Sequence, residues 1–201
     1  MYYMLNLVFN YNDTNSAPNG RFVAYDSTQT NPLLTSKAWL QPASGAPDPP
    51  DPNNSAHWSF CQKDAQHLNF KQSDAPNLWV RVCDANQGTD NFAARITILI
   101  ARNTQQKATQ PMSSPIVNSN LSAGPLCIWD TMPPAGSSWP FVQASTTPNT
   151  TSAVASWVAQ LGTANQGSGP VTNRYIMLVA ATVQGNPTRT LTHDPDMNID
   201  M

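Results

Sequence analysis

Eighteen prolines punctuate this chain of 201 residues, and the apolar runs between them are short. Proline supplies no backbone N–H and fixes φ, so it breaks helices and is kept out of the middle of a sheet. The intervening segments are therefore read as short strands joined by turns. Strands are expected at 2–11, 21–26, 38–40, 57–62, 67–72, Asn77–Asp84 and 92–101, then at 115–118, 126–129, 141–145, 175–184 and 188–192. In the first, apolar residues crowd both faces. Asn19-Gly20 reads as a hairpin turn into the second. In Asn77–Asp84, Leu78, Val80 and Val82 alternate with Trp79, Arg81 and Cys83, the period of two that a strand requires. The run ARITILIA (94–101) is β-branched enough for a central strand. Residues 41–56, QPASGAPDPPDPNNSA, form a surface loop, extended in part in the polyproline manner.

One segment breaks the pattern. In TTSAVASWVAQLG, residues Val154, Trp157, Val158 and Leu161 fall at i, i+3, i+4 and i+7. That spacing predicts a short helix over 151–161, capped by Thr151 or Ser152 and ended by Gly162. The expected fold is all-β: a single domain, 1–201, built as an antiparallel β-sandwich of the Greek-key or jelly-roll kind, with this one helix. Helices do not alternate with strands, which argues against a parallel βαβ sheet.

Charged residues make up 11% of the chain and the formal net charge is −2. The polar surface then has to come from Asn, Gln, Ser and Thr, and weak self-repulsion favours association with further copies. The ten Lys and Arg are scattered, so no stripe exists to follow a phosphate backbone; nucleic acid is not an expected partner. The longest apolar stretch, 176–183, is too short for a membrane span. MYYMLNLVFNYND has neither the basic start nor the small-residue cleavage site of a secretory leader. A cytoplasmic location is expected, with non-classical export as the alternative. The sequons at Asn12, Asn53, Asn120 and Asn149 are what an Asn- and Thr-rich chain produces by chance.

Residues that could carry chemistry are few. Cys61, Cys83 and Cys127 fit no metal spacing and are expected as reduced, buried thiols, with a Cys61–Cys83 bridge as the oxidised alternative. Asp194, Asp196, Asn198 and Asp200 stand at alternate positions and would share one face of an extended segment, a set of oxygens that suits a hard cation. Ile199, however, sits where a calcium loop needs glycine, and no bidentate Glu follows. The competing reading is an edge strand with a solvated polar face, Met197 and Ile199 being buried behind it. His57, His67 and His193 come from separate segments, and no nucleophile elbow or zinc motif accompanies them. All twelve acids are Asp. Trp129-Asp130 and Trp139-Pro140 flank a Pro-Pro-Ala-Gly loop, where ring faces could stack on a glycan; burial is the commoner fate of such rings. No catalytic, cofactor-binding or metal-binding residue is therefore assigned, and no cofactor is expected.

The stretch LNFKQSDAPNLWVRVCDANQGTDNFAARITILIARN (68–103) resembles the middle of the bacterial inclusion-body proteins of the AidA/PixA family. Shared with it are a Leu-Asn-Phe-Lys strand, a short turn, a second strand, a polar hairpin and a strongly apolar strand. RYIMLVAATVQGNPTRTLTHDPDMNI (174–199) is similar in layout to that family's closing hairpin, with His193 in place of an aromatic residue and Asp196-Met197 departing from the spacing. DPNNSAHWSF (51–60) is similar to its Pro/Asn-rich approach to an aromatic strand. The resemblance covers about half the chain, leaving 1–40 and 104–172 without a counterpart. It implies a β-sandwich protein that accumulates and packs, without catalysis, and it transfers no functional residue. Three functions follow for testing: a self-associating structural protein, a carbohydrate-binding module, and a hydrolase with an unrecognised site.

Overall fold

A computed structural model describes residues 1–10, 21–61, 67–71, 77–85, 93–103, 112–113, 116–118, 127–128, 142–145, 152–159, 172–184, 189–193 and 196–200. Strands account for nearly all of the regular structure. In chain order they are β1 (Tyr2–Asn10), β2 (Arg21–Phe22), β3 (Ala38–Pro42), β4 (Trp58–Phe60), β5 (His67–Lys71), β6 (Asn77–Asp84), β7 (Ala93–Asn103) and β8 (Met112–Ser113). There follow β9 (Ile116–Asn118), β10 (Cys127–Ile128), β11 (Val142–Ser145), β12 (Ser152–Ala159), β13 (Thr172–Gln184), β14 (Arg189–His193) and β15 (Asp196–Asp200). Two single 3-10 turns, η1 (Pro32–Leu34) and η2 (Ser55–His57), complete the described elements. The protein is all-β. Among the described residues no helix is long and apolar enough to cross a membrane.

The strands form a seven-stranded sheet in the order β4-β3-β1-β6-β12-β9, with β2 alongside β1. A six-stranded sheet runs β11-β7-β13-β15-β5, with β14 alongside β13, and β8 and β10 make a small pair. Most pairings are antiparallel. Two are not: β1 runs parallel to β6 from Tyr2↔Asn77 to Phe9↔Asp84, and β15 parallel to β5 from Asp196↔His67 to Asp200↔Lys71. Parallel neighbours need long crossovers, so each of these contacts joins segments far apart in sequence.

The helix expected over 151–161 is instead a strand. Ser152–Ala159 pairs antiparallel with β6, Ser152↔Cys83 through Val158↔Asn77, and with β9 on its other side. Its residues explain why: serine, valine and tryptophan are mediocre helix formers, and two flanking strands satisfy backbone groups that an isolated turn of helix could not. The last turn of that helix, with Leu161 and Gly162, lies outside the described residues. A second correction concerns Asp196–Asp200, expected as an edge strand or tail. It is an interior strand, hydrogen-bonded to β13 on one side and β5 on the other. The 41–56 loop begins two residues late, because Gln41 and Pro42 extend β3 against Ser59 and Trp58. Pro42 is tolerated there because it ends β3, beyond the stretch Ala38–Leu40 that pairs with β1, so no described ladder to β1 needs its missing N–H.

Register fixes which side chains share a face. On the seven-stranded sheet, Leu5, Leu7 and Phe9 lie with Trp39, Val80 and Val82, all fully buried. On the six-stranded sheet Leu68, Ile96, Val179 and Ala181 share one face by the same alternation and are also buried. The reverse face of the first sheet is covered as well. There Met4, Ala38, Leu40, Leu33 and Trp58 form a cluster with Tyr2, Tyr25, Phe60 and Trp79 packed against it. Tyr2 meets Trp79 edge-on at 5.3 Å between ring centroids, and Trp58 meets Trp79 at 5.7 Å. Burial of β1 from Tyr3 through Phe9 without a break follows from this double cover.

Candidate polar cavity over β6

On that reverse face, beside the aromatic cluster, the register sets Asn6 of β1 next to Arg81 of β6. Asn6 is fully buried and Arg81 is 7% exposed. The Asn6 amide nitrogen, Nδ2, donates to three carbonyls of the η1 segment: Leu33 O at 3.0 Å, Thr35 O at 2.9 Å and, more weakly, Pro32 O at 3.5 Å. This fixes the amide so that Oδ1 points at Arg81, whose Nη1 donates to it at 2.8 Å. Arg81 Nε donates in turn to Asn53 Oδ1 at 3.1 Å. One asparagine and one arginine thereby fasten two loops to the sheet. Ser36 adds a further tie, its Oγ accepting from Val8 N at 2.9 Å.

The loops are themselves locally capped. Asn31 Oδ1 accepts from Leu33 N at 3.0 Å to start η1, and Asn54 Oδ1 accepts from Ala56 N at 3.1 Å to start η2. Trp58 Nε1 donates to Asp51 O at 2.9 Å, fixing the Pro-rich loop above the sheet. Between these walls lies a cavity of about 320 Å³, lined by Asn31, Leu33, Leu34, Asn53, Ser55, Arg81, Cys83 and Asp84. Burial pushes the Cys83 thiol above its ordinary range, with the neighbouring Arg81 charge pulling the other way. Burial alone pushes the half-buried Cys61 thiol up to about 12. Both thiols are free, so the alternative Cys61–Cys83 bridge is not formed. Tyr2 is raised by burial and by its hydrogen bond to Asp48, whose negative charge also disfavours the phenolate.

The sequence marks none of this cavity; it shows Arg81 only as one of an alternating set. A buried arginine opposite a buried asparagine is invisible until β1 and β6 are known to be neighbours. Of the residues singled out in the sequence, Cys83 and the sequon residue Asn53 line the cavity; the histidines, the acids of 194–200 and the tryptophans flanking the Pro-Pro-Ala-Gly loop are not among its lining residues. His57 is a turn residue: its Nδ1 accepts from Asp51 N at 3.0 Å, and its Nε2 lies 3.0 Å from Asn54 Nδ2. His67 and His193 belong to β5 and β14, on opposite faces of the six-stranded sheet by register, while His57 ends η2 just before β4 of the other sheet. Asp196, Asn198 and Asp200 do share a face of β15. Their register partners on β5 are His67, Asn69 and Lys71, and Arg174 of β13 stands beside Asn198. Of the two acids, Asp196 and Asp200, each thus stands at a register position beside a basic residue type, His67 and Lys71. Asp194, Trp129 and Trp139 lie outside the described residues. Among the described residues no group of three His, Cys, Asp or Glu is placed to hold a metal. Trp39 and Trp58 are buried, and Trp79 is packed in the aromatic cluster.

Comparison with known proteins, whether by family model, curated sequence or solved structure, gives no match. The class the structure defines is an all-β protein of two main sheets with a polar cavity on one of them.

Proposed function

We propose that this is a non-catalytic structural protein, a β-sandwich that associates with copies of itself in the manner of the inclusion-body proteins that 68–103 resembles. The carrying observation is its surface chemistry. Only 11% of the chain is charged, and Met1 is the sole large apolar side chain exposed among the described residues. Such an exterior of amides and hydroxyls opposes close approach only weakly, and it offers many hydrogen-bonding groups. The sandwich reading is supported by each main sheet burying one apolar face, and by β12 of one sheet running close to β7 and β11 of the other. A cytoplasmic site of accumulation fits the free thiols.

Edge addition is not the favoured route of association. The strands at the sheet margins, β4, β9, β11 and β5, have 3, 3, 4 and 5 residues, and short edges resist pairing with another chain. Contact between weakly charged faces is the mode this surface allows. Sedimentation velocity over a rising concentration series is the test. Sedimentation coefficients that climb with concentration are expected; a strict monomer at millimolar protein would overturn the proposal.

A further inference from the structure

We propose that the cavity over β6 binds a small organic carboxylate, held by the guanidinium of Arg81. A guanidinium so deeply withdrawn from water is costly to desolvate unless negative charge or hydrogen bonds offset it. Its described bonds go to two neutral amide oxygens, Asn6 Oδ1 and Asn53 Oδ1, and to the Cys83 thiol, so no carboxylate is among its described hydrogen-bond partners. A guanidinium has five N–H donors in a rigid fork, and the amide oxygens take one at Nε and one at Nη1. They hold its plane from two sides while the side chain still lines the cavity. The arginine is thus oriented before any ligand arrives, which is how a site avoids the entropic cost of binding.

The other walls narrow the ligand class. Asn31 and Ser55 bring amide and hydroxyl groups to the wall, suited to hydroxyls on the ligand, and Leu33 and Leu34 offer a small apolar surface to its C–H groups. Asp84 also lines the cavity, but strand alternation puts its side chain on the face opposite Arg81, and it has contacts of its own. One lining cation suits a monoanion; a phosphate dianion would want a second. At about 320 Å³ the space is at the small end for ligand sites, the size of a hydroxy acid or a single sugar acid. This inference does not depend on self-association.

The experiment is an NMR titration following the Arg81 Nε–H signal of the intact protein, with galacturonate as the acid and galactose as its neutral counterpart. A saturable shift with galacturonate and none with galactose is expected. Arg81→Lys keeps the charge but loses the fork, and should weaken binding about tenfold when followed by calorimetry. Leu34→Trp fills the cavity without removing any Arg81 bond and should abolish the shift. If Arg81→Lys fails to fold, the wild-type titration and Leu34→Trp still decide. Equal response to galactose, no response to galacturonate, or a shift that survives Leu34→Trp would each overturn the assignment.

Discussion

Asn6 is the residue on which the described packing most depends, because one amide serves both a loop and a buried cation. Asn6→Ala leaves the Leu33 and Thr35 carbonyls without their donor and Arg81 Nη1 without its acceptor. Each buried group so orphaned costs about 1–3 kcal/mol. We expect roughly 3 kcal/mol of lost stability, read as a lower urea midpoint at unchanged slope; an unmoved midpoint would show the network to be idle. The thiols give a pH prediction. Cys61 holds its proton more tightly in the folded chain than in the unfolded one, so the unfolded state ionises first as pH rises. Stability is complete below about pH 9 and falls between about 9 and about 12, by up to ~1.4 kcal/mol for each pH unit in that window. Buried Cys83 and Tyr2 shift in the same direction. Cys61→Ser should flatten this alkaline loss, measured by thermal melts at stepped pH. Little of this was legible in the sequence. Alternation showed that Arg81 shares a face with Trp79 and Cys83, but only the pairing of β1 with β6 reveals what neutralises its burial.

Strands were far more legible than residues, because alternation and turn residues act locally. Asn77–Asp84 has the expected bounds, and β1, β5, β7, β13 and β14 differ from expectation by a few residues at most. What failed depended on neighbours. The four apolar positions of 154–161 mimic a helical stripe, yet β6 and β9 offer the segment a ladder on both sides. The alternate acids of β15 suggested a solvated margin, yet β5 returns from far upstream to cover it. Local periodicity carries no record of such partners. Val154→Ala separates the two readings of the first segment. In a strand, losing the branched side chain should cost up to ~1 kcal/mol; in a helix, alanine would gain a few tenths. Denaturant unfolding of the variant gives the sign, and a stabilised protein would restore the helix.

At the scale of the molecule, the low charge density is the property with the widest reach. Ala24, Thr30, Ser44 and Thr192 are all exposed. Changing these four to Asp adds four negative charges without touching a described side-chain hydrogen bond. If the parent associates as proposed and weak repulsion is what permits it, the variant should remain monomeric at concentrations where the parent forms larger species. Equal association of both would point to specific contacts instead of a permissive surface.

The parallel contact of β5 with β15 also bears on how the chain is made. During translation, residues 67–71 leave the ribosome long before 196–200 exist to pair with them. Among the described residues β5 is bonded to this late strand alone, whereas β1 has β2 and β3 as earlier partners and waits for β6 on its other side. Nascent chains with such deferred pairings fold late and expose unsatisfied strands to one another on crowded polysomes. Rapid synthesis would then favour dense deposits, and slowing elongation should return the product to the soluble fraction.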